Sequence, residues 1–130
     1  MNKLLNYIIV ILLYTFTSIS AHAVGTESVK SSNPISGDAT AIEEGKTLYR
    51  ANCAYCHGLR ANGKGRGLPK SANLRKFKRG YTAFVSAVVN GYKRMPAWGG
   101  MGPLEYEQIN AIGAYLETMA KEGANWEDEE

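Results

Sequence analysis

Acidic residues are absent from the long middle of this sequence: between Lys46 and Leu104 there is no aspartate and no glutamate, and the acids stand at the two ends. The central part therefore carries charge of one sign. Thiols and imidazoles are nearly as scarce, with Cys53 and Cys56 the only cysteines and His22 and His57 the only histidines. Internal repeats and alternating strand patterns are missing as well, which leaves a mainly helical reading. The composition, 45% hydrophobic and 21% charged over 130 residues, excludes a disordered or fibrous chain and gives room for one domain.

No strongly apolar run reaches the roughly 20 residues that cross a bilayer. The first stretch instead has the pattern of an export signal: Lys3 precedes an apolar run from Tyr7 to Phe16, and Ala21-His22-Ala23 supplies the small-x-small cleavage pattern. The expectation is a signal peptide over 1–23, cleaved near Ala23, a periplasmic mature chain and no stable membrane insertion afterwards. No cysteine stands at the cleavage point, so a lipid anchor is not indicated. Residues 24–40 are rich in Ser, Gly, Thr and Asn, contain Pro34, and read as a flexible arm with no assigned function. A domain over 41–124 follows, and the acidic tail 125–130 reads as mobile.

Within the domain, Asp38 and Thr40 are candidate caps for a helix over 41–54, with Ile42, Gly45, Leu48, Tyr49 and Asn52 on neighbouring turns of one face. Glycines and Pro69 break any regular period from Gly58 to Gly80, apart from one short helical turn near 71–77. Phe84, Val85, Val88 and Val89 give helical spacing over 81–90, stopped by Gly91. A second loop, 92–102, holds Met95-Pro96-Ala97-Trp98. The last helix is expected over 103–121, with Pro103 in its first turn and Ile109, Ile112, Leu116 and Met119 facing inward. Loops this long need something rigid to pack against, and a buried cofactor would supply it.

Cys53-Ala54-Tyr55-Cys56-His57 carries the chemistry, because Cys-x-x-Cys-His is the pattern for c-type haem attachment. Two thiols one helical turn apart can each add to a vinyl group on one edge of the porphyrin, and the adjacent imidazole turns under the iron. Three other readings compete. A thioredoxin-like pair wants a strand and helix in a parallel sheet, which is absent. A zinc site needs four ligands, and no further cysteine or histidine exists once His22 leaves with the signal. A disulfide is the default for two thiols in an oxidising compartment, but it leaves His57 unexplained.

On these residues the sequence resembles the class I c-type cytochromes, small electron carriers of bacteria and mitochondria. The resemblance runs from Gly45 and Tyr49, through Cys53 to Gly58 and the Met95-Pro96-Ala97-Trp98 loop, to Tyr115. It implies an all-α, cytochrome c-like fold of a few helices with long loops wrapped around one covalent haem c, in which Gly45 and Tyr49 cross against Tyr115. It also implies Met95 as the sixth iron ligand beside His57. Met101 is the rival in the same loop, Met119 reads as core, and Pro96 beside Met95 favours Met95. A soft thioether favours ferrous iron, and filled axial positions mean electron transfer and not oxygen chemistry. The resemblance further implies the carbonyl of Pro69 as the partner of the second nitrogen of His57. Trp98 and Tyr92 are read either as packing on the haem edge or bonding a propionate, or as ordinary packing.

Arg60, Lys64, Arg66, Lys70, Lys93, Arg94 and the run Arg75-Lys76-Phe77-Lys78-Arg79 crowd the two loops that would surround the haem. They read as a basic face steering acidic redox partners, or as a solvated surface that also offsets the propionates. The 75–79 run alone would fit nucleic acid, which export outside the cytoplasm removes as a partner. The resemblance extends to the short cytochromes that serve quinoprotein alcohol dehydrogenases. The expectation is therefore a carrier, not an enzyme, moving single electrons from a dehydrogenase to a terminal oxidase or another cytochrome. A haem enzyme or gas sensor is the alternative, and it needs a distal acid-base group such as a second histidine, which the mature chain lacks.

Overall fold

The computed structural model describes residues 31–100 and 102–129. The signal segment 1–23, residues 24–30 and Met101 lie outside the described residues. Helix α1, Ala39–Asn52, starts where the carboxylate of Asp38 accepts the backbone N–H of Ala41 at 2.8 Å. Such a cap is worth about 1 kcal/mol. Cys53 keeps helical dihedrals and donates its N–H to Tyr49 O, so the chain passes almost directly into the four-residue helix α2, Ala54–His57. A 3₁₀ turn, Leu74–Lys76, helix α3, Tyr81–Asn90, and helix α4, Tyr106–Thr118, complete an all-α fold. None of the described helices is long and apolar enough to cross a membrane.

The framework is the crossing of α1 on α4. Ala41, Gly45 and Tyr49 recur at every fourth position of α1 and are buried. A Cβ on Gly45 would stand 1.8 Å from the backbone oxygen of Ala111, so only glycine permits this approach. One turn further, the rings of Tyr49 and Tyr115 meet with centroids 5.6 Å apart. The expected Gly45, Tyr49 and Tyr115 crossing is thus present. Ile109, Ile112 and Leu116 of α4 and Phe84 and Val88 of α3 fill the core, and Met119 packs at its margin.

Helix α4 is shorter than the expected 103–121. Glu105 forms its N-cap in a capping box, with the Glu105 N–H donating to Gln108 Oε1 at 3.0 Å, so Pro103 precedes the helix. At the other end the Lys121 N–H leaves the helical pattern and donates to Arg75 O at 2.8 Å.

Both described flanks of the domain, residues 31–38 and 125–129, differ from the sequence reading. Trp126, assigned above to the mobile acidic tail, is fully buried, with its ring centroid 5.2 Å from Phe77 and 5.3 Å from Phe84. Asp128 then caps α3 from a distance, accepting the Thr82 N–H at 2.8 Å and the Thr82 hydroxyl at 2.7 Å. Of the arm 24–40, the described part packs along α4. The hydroxyls of Ser31 and Ser36 donate to the buried Glu117 carboxylate, Asn33 Nδ2 donates to Asn110 O at 3.0 Å, and the Ser32 N–H donates to Trp126 O at 3.1 Å. Hydrogen bonds and the packing of Ile35 against the cluster of Ala41, Ala111 and Ala114 hold this segment, so hydrophobic periodicity carried no sign of it.

Candidate functional site

Helix α2 and two loops enclose a cavity of about 460 Å³. Cys53 at the junction of α1 and α2 and Cys56 and His57 on α2 are on its lining, and the loop after α3 adds Met95 and Trp98. Every residue assigned to the cofactor from the sequence is therefore on one cavity, while Met101 lies outside the described residues. Tyr92 lines it too, half exposed, with the guanidinium carbon of Arg79 4.8 Å from its ring centroid.

The elements that place these side chains follow from local chemistry. Tyr49 donates its hydroxyl to Gly58 O at 2.8 Å, which pins the end of α2 to α1. Burial holds the Tyr49 phenol far above its usual range, so it stays a donor. After Gly58 the chain folds back beneath α2, and the N–H groups of Arg66 and Gly67 donate to Tyr55 O at 2.7 and 2.9 Å. A Cβ on Gly65 would come within 2.3 Å of the Cys56 backbone oxygen and 2.4 Å of Tyr55 O, so this return requires glycine there.

His57 Nδ1 lies 3.0 Å from the backbone oxygen of Ala72. A carbonyl only accepts, so Nδ1 carries the proton and the lone pair of Nε2 is left for a metal. This corrects the expectation for Pro69, whose oxygen instead accepts from Arg94 Nη2 at 2.8 Å. A carbonyl partner leaves no residue-type signature, and in a loop dense with glycine its register could not be counted from the sequence.

Cys53 and Cys56 carry free thiols. Burial pushes the Cys53 thiol up to about 12, and Cys56 adds to the effect. Before any cofactor is attached, Cys53 is therefore protonated at neutral pH, unlike the activated thiolate of a redox pair. Among the described residues no three His, Cys, Asp or Glu side chains are grouped to hold a metal ion by themselves, so the zinc reading has no site. Two thiols a turn apart, an oriented imidazole and a thioether around one mainly apolar cavity fit a haem.

Comparison with known proteins agrees with that chemistry. Residues 40–116 match the family model described as cytochrome C oxidase, cbb3-type, subunit III. The chain belongs to this family of class I c-type cytochromes. Cytochrome c-555 of Chlorobaculum tepidum is 34% identical over 107 residues, covering 79% of this cytochrome and 96% of the relative. Cytochrome c6 of Nostoc sp. is 31% identical over 132 residues, covering 97% and 99%. Among solved structures, cytochrome c6 from the diatom Phaeodactylum tricornutum is 31% identical with a TM-score of 0.47, over 63% of this cytochrome and 97% of that chain. The cytochrome carries one covalently attached haem c with its iron, and like c-555 and c6 it is an electron carrier and not an enzyme.

Proposed function

We propose that this cytochrome is a periplasmic one-electron shuttle, with haem held through Cys53 and Cys56 and its iron between His57 Nε2 and Met95 Sδ. The observation that carries the reading is the meeting of these four side chains on one cavity. Haem supplies a ferric/ferrous couple, and the chain determines how it is used. Cys53 and Cys56 would hold the porphyrin beside α2, and the Ala72 carbonyl keeps the His57 imidazole in the tautomer that leaves Nε2 for the iron. The soft sulfur of Met95 would raise the potential and occupy the remaining iron position, and outer-sphere electron transfer would be the chemistry.

Lys70, Lys93 and Arg94 line the cavity mouth, and Arg60, Lys64 and Arg66 are exposed on the adjoining loop, with no acid between Lys46 and Leu104 to offset them. That face steers a partner with a carboxylate-rich surface, a dehydrogenase as donor and a terminal oxidase or second cytochrome as acceptor. The description of the matching family as an oxidase subunit supports the oxidase side. A quinoprotein alcohol dehydrogenase is the proposed donor class.

The Met95 assignment is tested by replacement. Met95→Ala is expected to abolish the sulfur-to-iron absorption band of the oxidised protein and to lower the reduction potential. An unchanged spectrum would transfer the ligand role to Met101.

A further inference from the structure

The loop that carries Met95 is a closed turn. Tyr92 and Met95 exchange both backbone hydrogen bonds, at 3.1 and 2.9 Å, and Lys93 takes a left-handed conformation with φ 55°. Gly91 at φ 78° allows the entry, since a Cβ there would lie 2.8 Å from Met95 O. On the far side the Trp98 N–H donates to Val88 O at 2.8 Å, so the turn hangs from the end of α3. The loop 58–73 is anchored elsewhere, to α2 through Tyr55 O and through the bond of Ala72 O to His57. The cavity lies between these two separately anchored loops.

Among the described residues one hydrogen bond joins them, from Arg94 Nη2 to Pro69 O. Arg94 is the neighbour of Met95, and Pro69 is three residues before Ala72 in the segment that orients His57. We infer that Arg94 is a positioning residue that clasps the Met95 turn to the His57 loop and so keeps the sixth iron position closed to outside ligands. The inference rests on the reading of Met95 as the sixth ligand. Arginine suits the role because its planar fork is always charged and directs its donors rigidly, and a charged donor strengthens a bond to a carbonyl. Without the clasp the turn keeps its internal bonds and its anchor on α3 but can swing from the loop facing it, so the sulfur is lost from iron more often. The expected change is therefore in the opening of the turn, not in global folding.

The experiment uses the ferric holoprotein and imidazole as the entering ligand. Imidazole replaces the sulfur, one iron–sulfur bond breaking and one iron–nitrogen bond forming with the iron still ferric, and the loss of the sulfur-to-iron band times the step. Arg94→Ala is expected to bind imidazole about tenfold faster than the wild type, the loss of one charge-assisted hydrogen bond, with its thermal midpoint nearly unchanged. Repeating both measurements at high ionic strength screens the long-range effect of the lost charge, and the difference between Arg94→Ala and the wild type is expected to persist there. Equal rates for Arg94→Ala and the wild type would overturn the clasp, as would a difference that vanishes at high ionic strength, which would assign the effect to charge alone. A wild type with no sulfur-to-iron band, or a Met95→Ala protein that keeps it, would overturn the ligand reading on which the clasp depends.

Discussion

At Gly45 the absence of a side chain sets the separation of two helices. The smallest addition, a methyl group, would meet the Ala111 carbonyl at 1.8 Å, and neither backbone can yield without moving its helix. Gly45→Ala is expected to destabilise the holoprotein by about 3 kcal/mol, read from the denaturant midpoint, because overpacking against backbone has no flexible side chain to absorb it. A midpoint equal to the wild type would show that the crossing is looser than described. The crossing was expected from the resemblance, and spacing alone placed Gly45 and Tyr49 on one face of α1. The partner of His57 was not, because any residue offers the same carbonyl and only the folded loop decides that Ala72, and not Pro69, stands 3.0 Å from the ring.

The helices themselves were readable where their stripes and punctuation are local. Asp38 begins α1, Gly91 ends α3, and the 3₁₀ turn falls within the span expected for a short helical turn. The described flanks of the domain were misread because their local sequence is polar. Trp126 stands among Glu122, Glu127, Asp128 and Glu129, so its neighbourhood looks like a solvated tail, yet its ring lies between Phe77 and Phe84. Its carbonyl accepts the N–H groups of both Ser32 and Tyr81, so the tail joins the first described residues to the start of α3. Trp126→Ala is expected to cost about 3–5 kcal/mol of stability, the usual loss for a buried large aromatic. The absorption spectrum should stay unchanged, since neither Trp126 nor its ring partners line the haem cavity. Loss of less than about 1 kcal/mol, in the range of a surface substitution, would return the tail to the mobile role first assigned to it.

Across the whole molecule, sequence and structure divide the work of a carrier. Two of the acids near the ends act within the fold, Glu117 holding two serines and Asp128 capping α3, while Lys70, Lys93 and Arg94 of the middle line the cavity. Attraction at long range suits a partner that must dock, exchange one electron and leave. Raising ionic strength is expected to slow electron exchange with the physiological partner, since screening shortens the reach of the basic face. A rate insensitive to salt would remove that face from the docking step.

The central claim, a covalent haem between His57 and Met95, is tested most directly by absorption spectroscopy of the protein made in cells with the c-type maturation system, before and after acid-acetone extraction. The account predicts that the haem stays with the chain, gives sharp bands when reduced and shows the sulfur-to-iron band when oxidised. Haem that passes into the solvent, or a chain that carries none, would contradict it.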